Sequence, residues 1–323
     1  MRKDRVFVVE RGLAHARLED FLCGHLRDVR RLEVRQAIQA GQVRVNGETC
    51  VANRPLRVND VVQLAVAPEP VSAEPAADPV AWSVLFESAS ALVIDKPAGL
   101  TTVPDRSGVQ RGLYGGLEAL RPGADLRIVH RLDRDTSGCL LLAKGIDAAR
   151  HFDAEFRAGR VRKVYVALVQ GVPAASQFAI DAWLGPDRSR KGKVVASDGE
   201  RKGYRPAHTD VSLRQAFAQH ALLELRPTTG RSHQLRVHLQ SVGLPIAGDR
   251  DYGGEPLLLS RLKAGYKLRP GVVERPLAQR MFLHAERLAF HDVDGREVVV
   301  EAPLPEDLAV ALRQVQNFAD RRR

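Results

Sequence analysis

The spacing of apolar residues predicts two helices and a hairpin near the N-terminus. Leu, Phe, Val and Ile recur every three or four positions over residues 18–26 and again over 32–38, the period of one buried helix face. Gly41 is expected to end the second helix. Alternation around Asn46-Gly47 predicts a β-hairpin over residues 42–49. Short strands are predicted at 6–9 and 61–66.

A second region, from about residue 82 onward, has mostly the pattern of β-strands. β-Branched residues and two-residue alternation favour strands there, and the last of them ends a hairpin that turns at Asp294-Gly295. Strands are predicted at 84–87, 91–95, 163–169, 222–225 and 298–300. A helix is predicted at 147–157, a Gly-rich loop at 105–116, a short helix at 115–120 and a polar insertion or hairpin tip at 185–206.

Residues 67–80 separate the two regions. The segment contains four prolines, three acidic residues and no basic residue, a composition typical of an extended, semi-rigid spacer. We therefore predict a first domain at 1–66, a linker at 67–80 and a larger domain at 81–323.

Composition narrows the class of protein and of partner. The 323 residues carry 49 Lys and Arg against 39 Asp and Glu, a formal net charge of +10. This excess indicates a polyanionic partner, with nucleic acid favoured over membrane. No apolar run is long enough to span a bilayer. Three widely spaced cysteines, Cys23, Cys50 and Cys139, have no metal-type spacing and suit a reducing, cytoplasmic compartment.

The most unusual stretch is the polar segment at 130–138, which lies between apolar runs. A loop between buried strands can hold one carboxylate in a fixed position. Local propensity offers an ordinary alternative, because Asp133 before Thr136-Ser137-Gly138 could simply form a turn. Asp135 is a competing candidate, and with Asp133 it would make a glycosidase-like pair.

A second block, residues 226–239, links a strand to a helix. We predict that Leu235, Leu239 and Val242 form the buried face of that helix and that Gly243 ends it. Arg231 would then lie near the helix N-terminus, where backbone N–H groups attract anions. His233 and His238 are poorly placed for a metal, because five residues of helix separate their directions by about 140°.

The N-terminal region resembles the S4 RNA-binding module in its two helices, hairpin and closing strand, with Asn59 at a position where that family often has Gly. Four arginines are expected to gather around the second helix and the hairpin as an RNA-binding surface. They are Arg30, Arg31, Arg35 and Arg44. The alternative is a solvated basic helix face.

A longer series of motifs follows in order from residue 95 and resembles the RluA-type RNA pseudouridine synthase family. The blocks are Asp95–Leu100, His130–Gly138, Lys163–Tyr165, Gly230–His238, Pro245–Asp249, Tyr252-Gly253 and Leu283–Ala285. The sequence departs from the family pattern at Thr101–Pro104, where a His-Pro pair is common, and at Ser232, where Thr is usual. The Thr101–Pro104 departure leaves open which nucleotides are contacted there.

The resemblance implies a role for each matching residue. Asp133, rather than Asp135, corresponds to the catalytic aspartate. Tyr165 corresponds to the tyrosine that packs on the target base and takes part in proton transfer. Arg231 corresponds to the basic residue that pairs with the aspartate and contacts substrate. Residues matching the surrounding motifs are expected to bind substrate, and these are His130, Arg131, Lys163, Gln234 and Arg236.

The same resemblance implies an α+β fold with a mixed, mostly antiparallel central sheet. A small S4-like module precedes it in the chain. Isomerising uridine to pseudouridine adds no atom and changes no oxidation state, so we expect no cofactor and no metal. Large-subunit ribosomal RNA is the expected substrate, and a monomer is the expected form. The alternatives are a transfer RNA synthase or a non-catalytic RNA-binding or ribosome-assembly factor on the same fold. The sequence does not name the target uridine, say whether a ribosome assembly intermediate is required, or say whether the aspartate attacks the sugar or removes its C2′ proton.

Overall fold

The computed structural model describes residues 5–9, 17–26, 31–65, 83–102, 113, 117, 121, 123–190, 192–268 and 273–319. These residues divide into two compact units, one up to residue 65 and one from residue 83 onward. The proposed linker, the 105–112 part of the Gly-rich loop and most of the predicted 115–120 helix lie outside the described residues. In the described part of the chain, no helix is long and apolar enough to cross a membrane.

The first unit packs two helices on a four-stranded antiparallel sheet of order β1-β4-β2-β3. Its elements are β1 Arg5–Val8, α1 Leu18–His25, α2 Arg31–Gln39, β2 Val43–Val45, β3 Glu48–Thr49 and β4 Val61–Leu64. Leu18, Leu22 and Ile38 from the helices are buried against Val43 and Val62 of the sheet. The predicted helices, hairpin and strands are therefore confirmed.

Positive backbone angles occur where the turns of the first unit require them. Asn46 and Gly47 have φ values of 55° and 85°, as a two-residue hairpin turn demands. Asn59, which stands where the S4 family often has Gly, adopts φ 69°. Asparagine tolerates this left-handed region better than other residues with a side chain, so the substitution keeps the turn.

The second unit is organised on an eleven-stranded sheet of order β11-β10-β12-β13-β9-β14-β8-β6-β5, with β15 paired to β14 and β7 paired to β8. Its strands are β5 Ser83–Glu87, β6 Ala91–Lys96, β7 Leu126–Ile128, β8 Ser137–Lys144, β9 Arg162–Gln170, β10 Gln177–Pro186, β11 Val194–Ser197, β12 Arg205–Ala216, β13 His220–Pro227, β14 Leu283–His291 and β15 Glu297–Glu301. Its helices are α3 Ile146–Arg157, α4 Gln234–Ser241, α5 Leu259–Leu262 and α6 Glu306–Ala319.

Among the paired strands described, only β8 and β14 run parallel, so the predicted mixed, mostly antiparallel sheet is confirmed. The five strands and the 147–157 helix predicted in this unit all form, and the β10–β11 hairpin turns between Pro186 and Val194. α4 and α6 contribute Leu235, Leu239 and Leu308 to one core, while Phe152 of α3 packs in another. Val242 is 45% exposed, so its predicted place in the buried face of α4 was wrong.

The turn predicted at Thr136-Ser137-Gly138 was misplaced. The chain turns at Arg134-Asp135, where the Thr136 N–H donates to the Asp133 carbonyl at 3.1 Å, and β8 already begins at Ser137. Gly138 has φ 113°, and a Cβ there would lie 2.2 Å from the Ala285 carbonyl oxygen. Glycine is needed because β14 crosses so closely at this point, which fixes where β8 leaves the Asp133 loop.

Candidate active site

A cavity of 490 Å³ opens where three segments of the second unit meet: the β7–β8 loop, the start of β9 and the β13–α4 loop. All eight candidates from this unit line its wall. They are His130, Arg131, Asp133, Lys163, Tyr165, Arg231, Gln234 and Arg236. Phe156, Pro227 and Leu283 supply apolar surface to the same cavity. The fold thus brings together motifs that are up to about a hundred residues apart in the chain.

Asp133 lies on the cavity wall beside the guanidinium group of Arg236. The Arg236 Nη1 is 3.4 Å from the Asp133 Oδ2, a long and therefore weak hydrogen bond. Arg236 is committed more tightly to Asp249, through Nε at 2.6 Å and Nη2 at 2.7 Å. Arg236 therefore presents positive charge to Asp133 while its own position is fixed from behind, and the aspartate is held without being saturated.

Arg231 does not make the pairing with Asp133 that the family resemblance implied. Its Nε donates to the Pro206 carbonyl at 3.1 Å, which holds the half-buried side chain against the start of β12. The ion pair of Asp133 is made instead by Arg236, which we had expected only to bind substrate. Both arginines line the cavity, so Arg231 keeps a place from which it can contact RNA.

Tyr165 comes from β9 and packs against two apolar cores of the second unit. Burial, and then the nearby negative charge of Asp133, raise the pKa of the Tyr165 phenol above its ordinary value. A phenol with a raised pKa stays protonated at neutral pH. The ring therefore offers a flat apolar face and a hydroxyl donor, and it is poorly suited to act as a base.

The loop that carries Asp133 is clamped on both sides of that residue by side chains that sequence reasoning missed. The buried Thr102 hydroxyl donates to the Leu132 carbonyl at 2.8 Å and accepts from the Leu132 N–H at 3.1 Å. On the other side, the fully buried Lys96 donates to the Arg134 carbonyl at 3.1 Å. Lys96 belonged to a quoted motif, but its burial is the property that the sequence could not show.

A second clamp holds the far end of the loop. Arg280 donates to the Asp135 carbonyl at 3.1 Å and to the Ser137 hydroxyl at 3.1 Å, and its own charge is paired with Asp307. His284 Nε2 donates to the Ala302 carbonyl at 3.1 Å, so its Nδ1 accepts the Ser137 hydroxyl proton at 2.9 Å. The Asp133 loop is thus held at each end by buried or half-buried side chains from distant parts of the chain.

His130 lines the cavity, but the contacts of its ring are with the protein itself. Its Nε2 accepts the Leu141 N–H at 2.8 Å, and its ring packs on Phe156 with centroids 4.8 Å apart. Burial, and then the charge of Lys163, lower the pKa of His130 to about 3. The imidazole is therefore neutral, and its contacts favour positioning of the loop over the substrate binding that we had expected.

This neutral histidine predicts that acid destabilises the protein. Below about pH 6.5 the unfolded chain takes up a proton at His130, whereas the folded protein does so only near pH 3. The unfolded state then binds more protons, so the free energy of unfolding falls as pH drops from 6.5 toward 3. We expect His130→Gln, whose amide oxygen can still accept from Leu141, to flatten this slope in urea denaturation between pH 7 and 5. An unchanged slope would contradict the prediction.

Gln234 is also committed to the protein. Its Oε1 accepts from the Thr229 hydroxyl at 2.8 Å and from the Arg231 N–H at 3.0 Å. Its Nε2 donates to the His208 carbonyl at 2.9 Å and to the Thr209 hydroxyl at 3.1 Å. All four bonds of the amide are used, so Gln234 shapes the β13–α4 loop and the substrate-binding role expected for it has no free donor or acceptor.

Lys163 and Arg131 retain charge for an incoming ligand. Lys163 donates to the Thr229 carbonyl at 3.1 Å, and burial lowers its pKa to about 8, so most of it is still cationic at neutral pH. Arg131 is exposed at the cavity wall. Together with Arg231 they give the cavity three cationic groups suited to phosphate oxygens.

Two of the four arginines predicted to bind RNA in the first unit are described, and they lie on opposite faces of its sheet. Arg35 pairs with Glu19 at 2.8 Å, on the helical side. The register of β2 places Arg44 between the buried Val43 and Val45, so it projects from the opposite face of the sheet. The expected gathering of these two residues in one cluster around α2 and the hairpin was therefore wrong. Arg30 and the side chain of Arg31 lie outside the described residues.

Comparison with known proteins assigns both units. The model of the RNA pseudouridylate synthase family matches residues 90–241, and that of the S4 domain matches residues 16–62. An uncharacterized RNA pseudouridine synthase of Chloroflexus aurantiacus is 38% identical, covering 98% of this chain and 95% of its own. Ribosomal large subunit pseudouridine synthase C of Vibrio cholerae is 34% identical, covering 96% of each chain.

A solved structure agrees with this assignment. Human RNA Pseudouridylate Synthase Domain Containing 4 is 26% identical with a TM-score of 0.56, and the match covers 72% of this chain and 93% of that one. The chain therefore belongs to the RNA pseudouridine synthase family and carries an S4 domain ahead of its synthase domain.

Proposed function

We propose that this enzyme converts specific uridines of large-subunit ribosomal RNA to pseudouridine, with Asp133 as the catalytic carboxylate. The observation that carries the assignment of Asp133 is its geometry. A carboxylate on a clamped loop lines a cavity beside an arginine that is fixed by another aspartate, and a protonated tyrosine lines the same cavity. This arrangement places a cation beside the carboxylate and leaves the carboxylate available to a substrate.

The reaction breaks the bond from the sugar C1′ to N1 of uracil and forms a bond from C1′ to C5. The base must leave, rotate and reattach without escaping, which requires a closed site from which water is excluded. A uridine within RNA must first leave its stack, at a cost of a few kcal/mol. The ring of Tyr165 can replace the lost stacking, while Arg131, Lys163 and Arg231 bind the backbone around the flipped nucleotide.

Asp133 can act by either of two chemical routes. As a nucleophile it would attack C1′, and as a base it would remove the C2′ proton; both require the ionised carboxylate. Arg236 places its positive charge beside this carboxylate. Its bidentate bonds to Asp249 keep it from folding over the aspartate and blocking the substrate.

Ribosomal RNA is favoured by two observations. Relatives that match this chain over nearly its whole length are named ribosomal large subunit pseudouridine synthase C, and the chain has a net charge of +10, which suits a large folded RNA. We further propose that the enzyme acts in the cytoplasm as a monomer. Mapping pseudouridine across total RNA from cells with and without this protein tests the substrate, because loss of a site in transfer RNA alone would overturn the ribosomal assignment.

The S4 domain is proposed to supply affinity and not chemistry. Deleting residues 1–67 should weaken RNA binding by about tenfold or more at physiological salt, because several phosphate contacts are lost. The rate of a single turnover at saturating RNA should fall much less. Filter binding and single-turnover assays measure the two quantities separately. Unchanged affinity, or a rate that collapses at saturation, would refute this division of labour.

A further inference from the structure

The β10–β11 hairpin extends from the sheet close to the synthase cavity. Its turn, between Pro186 and Val194, and the segment that returns to β12 carry exposed cationic side chains. They are Arg188, Arg190, Arg201 and Lys202. The function proposed above gives no role to these residues, nor to Asp251 and Tyr252, which follow α4. The structure connects the hairpin and that motif directly.

Two contacts join the start of β11 to the short helical turn at Arg250–Tyr252. Lys193 forms an ion pair with Asp251. The next residue, Val194, donates its N–H to the Tyr252 phenol oxygen at 3.0 Å. One contact is an exposed charge pair, while the other is a bond to a side chain that is only 4% exposed.

Asp251 and Tyr252 also contact Arg236. Asp251 Oδ2 lies 3.2 Å from Arg236 Nη2. The Tyr252 ring lies under the guanidinium, 4.7 Å from its carbon to the ring centroid, at cation–π distance. The Tyr252 hydroxyl donates to His233 Nδ1 at 2.7 Å while accepting from Val194, so its orientation is fixed by both partners.

We propose that Tyr252 and Asp251 are positioning residues that link the β10–β11 hairpin to Arg236, and through it to Asp133. Docking of the hairpin on the RNA backbone then fixes the Arg236–Asp133 geometry, so that a correctly seated RNA completes the reactive arrangement. This proposal rests on the function proposed above. Neither Tyr252 nor Asp251 is among the residues that line the cavity.

Tyr252→Phe tests the buried contact through which Tyr252 connects the hairpin to the site. The variant keeps the ring under Arg236 but removes the hydroxyl that joins Val194 to His233. We expect the single-turnover rate at saturating RNA to fall about tenfold, since small misplacement of reacting groups is costly, while the RNA dissociation constant changes less than about twofold. Tyr204→Phe is the matched control, because Tyr204 lies in the segment between β11 and β12 and packs against Gly185 of β10. It should behave as wild type.

A double-mutant cycle tests the ion pair between Lys193 and Asp251. Lys193→Met and Asp251→Asn should each slow single turnover by about threefold, and together they should slow it no more than either does alone, because both break one link. Additive effects would overturn the link, as would Tyr252→Phe turning over as fast as wild type. Melting temperatures of all variants exclude global unfolding as the cause. A wild-type protein that modifies no RNA would instead defeat the proposed function itself.

Discussion

Asp133→Asn is expected to lower pseudouridine formation by at least about 10³-fold, at the upper range for loss of a reacting acid–base group. The amide has nearly the same shape, and its oxygen can still accept from Arg236. It can neither attack C1′ nor take a proton from C2′, so both chemical routes fail. Arg236 keeps its two bonds to Asp249, and the cavity should therefore retain its form and its affinity for RNA.

Asp135→Asn is the matched control for this experiment. Asp135 is two residues away on the same turn, its side chain is 50% exposed, and it lies 3.8 Å from Arg134. We expect the control to retain activity within about twofold, since a surface ion pair of this kind contributes little. Pseudouridine is measured in RNA after a single turnover, and binding is measured separately. Appreciable turnover by Asp133→Asn, or an equal loss in Asp135→Asn, would contradict the assignment of Asp133.

The sequence allowed two interpretations of the Asp133 loop, an ordinary turn and a loop that holds a carboxylate in place. The two are compatible. Local propensity favours a turn at Asp133, and its carbonyl does accept the Thr136 N–H. The turn uses only the backbone of Asp133, which leaves the carboxylate free to face the cavity. The sequence could place the loop between buried strands, yet it could not show the clamps at Thr102, Lys96 and Arg280. Those clamps join residues 30 or more positions apart, and no local pattern encodes them.

The choice between Arg231 and Arg236 shows the same limit. The motif contains both arginines, and the resemblance implied that Arg231 pairs with the aspartate. α4 begins at Gln234, so Arg236 lies in its first turn. Its side chain points into the protein, where it forms an ion pair with Asp249. Arg231 precedes the helix and bonds the backbone of β12. Only the packing of α4 against the Asp249 segment decides which guanidinium reaches Asp133.

Arg236→Gln is therefore expected to cost both stability and activity. Asp249 is buried, with its side chain 1% exposed, and loss of its cation leaves an unpaired charge in the interior. Breaking a buried pair in this way costs about 3–5 kcal/mol, which for a domain of this size lowers the melting temperature by about 10 °C. Arg231→Gln serves as control, and it should weaken RNA binding while leaving the melting temperature nearly unchanged.

The double variant Arg236→Gln/Asp249→Asn separates the two roles of Arg236. Removing the buried charge together with its partner should recover most of the lost stability, because the two amides can hydrogen-bond each other. Activity should stay at least about a hundredfold below wild type, because Asp133 still has no cation to hold it in place. Calorimetry and single-turnover assays on the three variants give the answer. If the double variant recovers activity along with stability, Arg236 supports the fold alone and Arg231 returns as the partner of the aspartate.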